Sequence, residues 1–134
     1  MLFSGNLLAT GPVNSHILFV DDEAPIREML SLYFRKKGLQ VTTAVTATEA
    51  TKLAGEIPFS LAILDVELAG ENGLDLLSFF KRNHPHLPVI IFTGMDGDEG
   101  LMEEARARGA NGFMRKTEPL DHLFAEVQRH LPTP

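Results

Sequence analysis

The sequence predicts an α/β fold, an open parallel sheet with helices packed on both faces. Three observations carry this. Five short apolar segments recur along 134 residues, and each is followed by a stretch with apolar residues at helical spacing. The main segments are apolar without alternation, as strands buried on both faces are. Strand and helix alternate throughout, the order that gives parallel crossover units.

The first strand is "HILFV" (16–20), short and rich in branched residues. In "DDEAPIREMLSLYFRKKG", Pro25 suits a first helical turn, Ile26, Met29, Leu30 and Tyr33 follow helical spacing, and Gly38 terminates. "LQVTTAV" (39–45) is the second strand. Thr46 and Glu49 then form a capping box for a modest helix that ends before Pro58. "FSLAIL" (59–64) is the third strand, followed by a helix in "NGLDLLSFFKRNHP" that packs through Leu74, Leu77 and Phe80. "PVIIF" (88–92) is the fourth strand. Asp96 or Asp98 caps a weaker fourth helix that runs through Arg108 to Gly109. "NGFMR" (111–115) is the short fifth strand. Leu120, Leu123, Phe124, Val127 and Leu131 make one stripe on the last helix. Right-handed crossovers narrow the topology. The expected arrangement is a flavodoxin-like three-layer sandwich, with a five-stranded parallel sheet in order 2-1-3-4-5 and five helices. Its ligand crevice lies beyond the carboxyl ends of the strands.

Composition excludes several functions. There is no cysteine, so neither disulfides nor thiolate metal sites can form. No apolar run approaches the ~20 residues of a membrane helix. The net charge of −6 argues against a phosphate-backbone surface. The basic clusters (Arg35–Lys37, Lys81/Arg82, Arg106/Arg108) fall near predicted helix ends, where cations complement the dipole. Residues 1–14 lack the charged start of a secretory signal and read as a flexible lead-in or cloning remnant. Residues 15–131 form the domain and 132–134 a tail.

What ends the strands is more telling. The first runs into Asp21-Asp22 with Glu23 next, the third into Asp65, the fourth into Thr93, and the fifth into Lys116. One Asp after a strand usually just begins a turn. In a parallel sheet all four ends share one edge, and a strand spacing of ~4.8 Å brings them together. Converging carboxylates repel and tend to hold protons. A hard divalent cation such as Mg²⁺ relieves that, since it prefers oxygen ligands and few carboxylates. The set then comprises an acidic cradle, a carboxylate nucleophile, a hydroxyl and an ammonium for a developing phosphoryl charge.

With "FVDDE", "LAILDVELAGENG", "VIIFTG" and "GANGFMRK", the sequence resembles the receiver domain of two-component response regulators from about Ser15 to Leu131. Receivers are themselves an example of the 2-1-3-4-5 order. The resemblance implies that Asp65 is the phosphoacceptor. Asp21 and Asp22 would hold Mg²⁺, Asp22 directly and Asp21 mainly through water, with Asp65 and the backbone carbonyl of Glu67 completing the site. Thr93 would bind the phosphoryl group, Lys116 would pair with Asp65 and then with phosphate, and Thr93 and Phe113 would form the switch. A histidine kinase or phosphotransfer protein would be the donor, and an output domain or effector would read the face of the fourth helix, fifth strand and fifth helix. That face could also support a homodimer. The resemblance further implies a cytoplasmic phosphorelay protein that binds neither nucleic acid nor membrane through this domain. It would be no enzyme beyond catalysing its own phosphorylation and dephosphorylation, and either stands alone or forms a piece of a longer regulator.

Several positions depart from the family. Ala69 stands where proline is usual, with only a local change expected. Thr117 replaces the proline after the active-site lysine, so a cis bond there would cost ~3–4 kcal/mol and trans is expected. Phe113 lacks the hydroxyl of the commoner tyrosine. Glu67 and Met95 flank the pocket. His84 and His86 read as a solvated turn, His122 and His130 as surface residues, and Phe79/Phe80 as core and partial cover. "GMDGDEG" lacks the Lys-Ser/Thr ending of a nucleotide loop. Two alternatives stand beside the receiver. One is a non-phosphorylated receiver-like interaction module. The other is a Mg²⁺-dependent phosphatase or nuclease, which "DVE" at 65–67 faintly suggests.

Overall fold

A computed structural model of the chain describes residues 15–94 and 99–131. Its elements are β1 (His16–Val20), α1 (Ala24–Lys36), β2 (Gln40–Ala44), α2 (Ala47–Glu56), β3 (Leu61–Leu64), β4 (Glu67–Leu68), β5 (Glu71–Asn72), α3 (Gly73–Asn83), β6 (Val89–Thr93), α4 (Glu99–Ala107), β7 (Gly112–Arg115) and α5 (Leu120–His130). Five strands pair in parallel in the order β2-β1-β3-β6-β7, the expected topology once β4 and β5 are set aside as a separate two-stranded ladder.

Alternate residues of each strand feed two cores. Leu18, Val20, Ala62, Leu64, Val89 and Ile91 face α2, α3 and α4, where they meet Ala50, Leu77, Phe80 and Ala105. Ile17, Phe19, Leu61, Ile63, Ile90 and Phe92 face α1 and α5, where they meet Leu30, Phe34, Leu123 and Val127. Burial on both sides explains why the strands read as unbroken apolar runs. At ~25 cal/mol per Å² of apolar area, these two cores supply the main drive to fold.

Helix α1 corrects one expectation. Leu30 and Phe34 carry its buried face, whereas Met29 is 44% exposed and Leu32 57% exposed. The predicted stripe stopped at Tyr33 and missed Phe34, one step along the i, i+4 row. Thr46 caps α2 as expected, accepting from Glu49 N at 3.1 Å. The reciprocal Glu49 carboxylate reaches Val45 N, one residue before the cap, at 2.7 Å. Arg35, Lys36, Lys81, Arg82 and Arg106 lie in last helical turns, in keeping with the dipole reading. His130 is half-buried beside Glu126 rather than on the surface, because α5 folds that side against the sheet. Asp96 and Asp98, the expected caps of α4, lie outside the described residues, as do Met95, the lead-in and the tail.

The β4–β5 ladder was not expected. Glu67 pairs with Asn72 and Leu68 with Glu71 around a turn at Ala69 and Gly70, whose φ values are +46° and +86°. Both lie in the left-handed region that tight two-residue hairpins need. Gly73 then starts α3 hard against the strand before it. A Cβ there would sit 1.9 Å from the Asp65 carbonyl oxygen, so only glycine fits. Among the described residues every peptide bond is trans, Lys116–Thr117 included.

Candidate functional site

The carboxyl edge of the sheet collects the polar strand ends into an open cleft of about 550 Å³ lined by Asp22, Glu23, Asp65, Glu67, Ala69, Gly70, Gly94 and Lys116. Each group arrives through strand geometry. Asp21 continues β1, with its N–H on Ala44 O at 3.1 Å, and is fully buried. Its Oδ1 accepts from Glu23 N at 2.9 Å, which turns the chain into α1. Asp65 continues β3, with its N–H on Val20 O at 3.0 Å, and is 4% exposed. Thr93 ends β6 and is fully buried, and its carbonyl accepts from Lys116 N at 2.8 Å. That bond fixes where the lysine leaves β7.

Lys116 is the hub. Its Nζ lies 2.8 Å from Asp65 Oδ2, 2.7 Å from Asp21 Oδ2 and 2.8 Å from Glu23 Oε1. Burial opposes its charge, but bonds to Asp21, Asp65 and Glu23 outweigh it and hold its pKa above the ordinary lysine value. Asp21 shifts the other way for a carboxylate. Burial pushes its pKa up, and Lys116 and the Glu23 amide only partly restore it. The buried Asp21 Oδ2 has the Lys116 ammonium at 2.7 Å as its ion-pair partner and no further hydrogen-bond donor among the described residues.

Three carboxylates sharing a single lysine fit a further cation. Among the described residues, Asp21, Asp22 and Asp65 can each offer an oxygen such that all three lie within 4.8 Å of one another. The donor set is all oxygen, which suits Mg²⁺. Glu67 lines the cleft, and its N–H points to Asp65 Oδ1 at 3.3 Å.

The structure brings together Asp21, Asp22, Asp65, Glu67 and Lys116 of the expected residues, with Thr93 at the adjoining strand end. Phe113 is one layer away. It pairs with Ile91 in the β6–β7 register while Thr93 pairs with Arg115, so Thr93 and Phe113 share the sheet face that α4 covers. The Phe113 ring is half-buried, with the Arg115 guanidinium 6.0 Å from its centre. Glu23, Ala69 and Gly94 were missed as site residues. Glu23 had a signal in its place after the acid pair. The one signal at Ala69 was its standing where proline is usual, because its contribution is a backbone N–H: it donates to Asp22 Oδ2 at 2.9 Å.

Fold and cleft together define an α/β protein of flavodoxin-like topology, with an acidic pocket at the carboxyl edge of its sheet. The chain belongs to the response regulator receiver domain family, whose model matches residues 17–128. It is 38% identical over 115 residues to a putative NtrX-like response regulator of Rickettsia felis, covering 84% of this chain and 24% of that protein. It is 29% identical over 120 residues to sporulation initiation phosphotransferase F of Bacillus subtilis, covering 90% of this chain and 96% of that one. The crystal structure of the response regulator TrrA from Thermotoga maritima, in complex with Mg²⁺-BeF, superposes with a TM-score of 0.79 at 27% identity over 87% of this chain and 99% of that one. The chain spans between 24% and 50% of the length of the curated relatives it first matches. No described helix is long and apolar enough to cross a membrane.

Proposed function

We propose that this receiver accepts a phosphoryl group on Asp65. The observation that supports it best is a buried carboxylate, Asp65, held by Lys116 at 2.8 Å at the point where the oxygens of Asp21 and Asp22 also converge. In the transfer, an Asp65 oxygen bonds to phosphorus as the P–N bond of a phosphohistidine donor breaks. The imidazole leaves with the electron pair and takes up a proton. Mg²⁺, held by Asp21, Asp22, Asp65 and the Glu67 carbonyl, would offset phosphoryl charge. Lys116 pairs with Asp65 before transfer and with a phosphoryl oxygen after it, while Thr93 donates its hydroxyl to another. Positioning and charge compensation are most of what such a transfer asks of a protein.

Phosphorylation biases two states of the Thr93–Phe113 face. Thr93 moves toward the phosphate, Phe113 turns inward, and the surface of α4, β7 and α5 changes. Reversing a 1:99 population takes ~5.5 kcal/mol of differential stabilisation. Residues 15–131 form the receiver unit in this reading, and its chemistry is limited to gaining and losing its own phosphoryl group. The donor is a histidine kinase or phosphotransfer protein in the cytoplasm. The reader is an output domain or effector, or a second copy docked through the same face.

The test is incubation with Mg²⁺ and acetyl phosphate followed by intact-mass measurement. One phosphoryl group per chain is expected, with none on Asp65→Asn. Uptake persisting in Asp65→Asn would overturn the assignment.

A further inference from the structure

We propose that the backbone N–H of Ala69 is a positioning group for the cation site, and that it sets how well Asp22 presents its carboxylate. This rests on the cation reading above and names a device that reading does not contain. Ala69 N donates to Asp22 Oδ2 at 2.9 Å, and no other hydrogen bond to that carboxylate is found among the described residues. One Asp22 oxygen belongs to the cluster with Asp21 and Asp65, and this bond limits how the carboxylate can turn toward it. Fixing one oxygen of a carboxylate fixes the direction of the other.

The amide reaches Asp22 because of the hairpin turn. Ala69 has φ +46°, a left-handed conformation that few L-residues adopt readily. It is held there from both sides. The Asp22 bond ties the turn to the β1–α1 junction, and across β5 the Glu71 carboxylate accepts from Ala47 N at 2.9 Å, tying the hairpin to the first turn of α2. Ala69 and Gly70 thus form one wall of the cleft. Proline cannot reproduce this: it has no N–H, and its ring fixes φ near −65°. The alanine at a position where the family resemblance leads one to expect proline is therefore a functional difference, because it converts a loop residue into a donor for a ligand-bearing acid. Groups that orient metal ligands are typically worth ~10–100-fold in metal affinity.

The experiment titrates Mg²⁺ calorimetrically into the wild type, Ala69→Pro and Ala69→Gly. Hydrogen exchange of the residue 69 amide is followed in parallel in metal-free wild type and Asp22→Ala. Ala69→Pro should bind Mg²⁺ at least ~10-fold more weakly. Ala69→Gly keeps the N–H and suits positive φ, so it should bind within about twofold of wild type. The amide should exchange slowly in wild type and fast in Asp22→Ala. Equal Mg²⁺ affinity in wild type and Ala69→Pro would overturn the proposal, and so would equally fast exchange in wild type and Asp22→Ala. If Ala69→Pro does not fold, the exchange pair decides alone. Absence of Mg²⁺ binding by the wild type would sink the cation reading itself, and is distinguishable because it appears before any variant is made.

Discussion

Two half-buried lysines, at opposite ends of the same sheet, face opposite chemistry. Lys81 Nζ at the amino edge donates to Leu87 O and Asn111 Oδ1, both at 2.9 Å. Its acceptors are neutral, and burial pushes its pKa below the ordinary value. Lys116 at the carboxyl edge meets three carboxylates and is pushed the other way. Other described contacts at the amino edge are between uncharged partners. Ser60 and His16 exchange bonds of 2.8 and 3.1 Å, the His16 ring meets Thr42 Oγ1 at 2.7 Å, and Asn111 Oδ1 also takes Val89 N at 2.9 Å. One acid near this edge, Glu126 beside Gly112, lies with His130 rather than converging with other acids. At the other edge several acids converge on one lysine, and that convergence is what separates the two edges.

Replacing Lys116 is the severest way to break the comparison. Lys116→Met leaves Asp21 and Asp65 buried without their cation, which typically costs ~3–5 kcal/mol. Urea unfolding at neutral pH should show that loss, and millimolar Mg²⁺ should restore much of it by taking over the charge. A loss that Mg²⁺ does not touch would mean the lysine is a packing element. Lys81→Met should lose less, ~1–2 kcal/mol for two hydrogen bonds, and Mg²⁺ should not change it.

The lysines should also separate by pH. The folded pKa of Lys116 lies above 10.5, so its contribution is complete below 10.5 and is lost as pH rises through the folded value. Lys81 has a folded pKa below 10.5, so the pH-linked part of its contribution is present above 10.5 and falls away as pH drops through the folded value, leaving its two hydrogen bonds net of the cost of burying the charge. Alkaline unfolding curves of the two methionine variants, each referred to wild type, should therefore slope in opposite directions.

The sequence showed the carboxyl edge more clearly than the hairpin over it, for a physical reason. Strand register is a repeat of two, so once the apolar runs are found the residue after each run is placed to within a position. Asp21, Asp65, Thr93 and Lys116 follow from that. The hairpin "ELAGEN" has four residues in the ladder and no alternation to read, and Ala69 occupies a conformation that alanine's own preferences argue against. Besides its own ladder and the buried Leu68, its tethers to Asp22 and to the start of α2 hold it, and both are distant in sequence. The Glu23–Lys116 ion pair was hidden likewise, being set by where β7 releases its lysine. Met29 was misplaced because helical spacing alone leaves the angle of a stripe free by about one residue, and Phe34 fixes it only after packing.

Tyr33 tests whether carboxylate pairing shifts a titration without burial. Its hydroxyl donates to Asp121 on α5, and the phenol pKa is pushed up to about 12, first by that bond and then by desolvation. The chain has one tyrosine and no tryptophan, so phenolate absorbance reports this residue alone. In wild type the absorbance should rise near pH 12 rather than 10, and Asp121→Ala should bring it back toward 10. The neutral phenol is the favoured form in the fold, so the stabilisation is present below pH 10 and lost as pH climbs through about 12. Near neutrality Asp121→Ala should cost only ~0.5 kcal/mol, mostly from removing an acid in the first turn of α5. If that exposed variant lost as much as Lys116→Met, burial would not be what separates the two pairs. The contrast between the edges would then have to rest on the number of carboxylates alone.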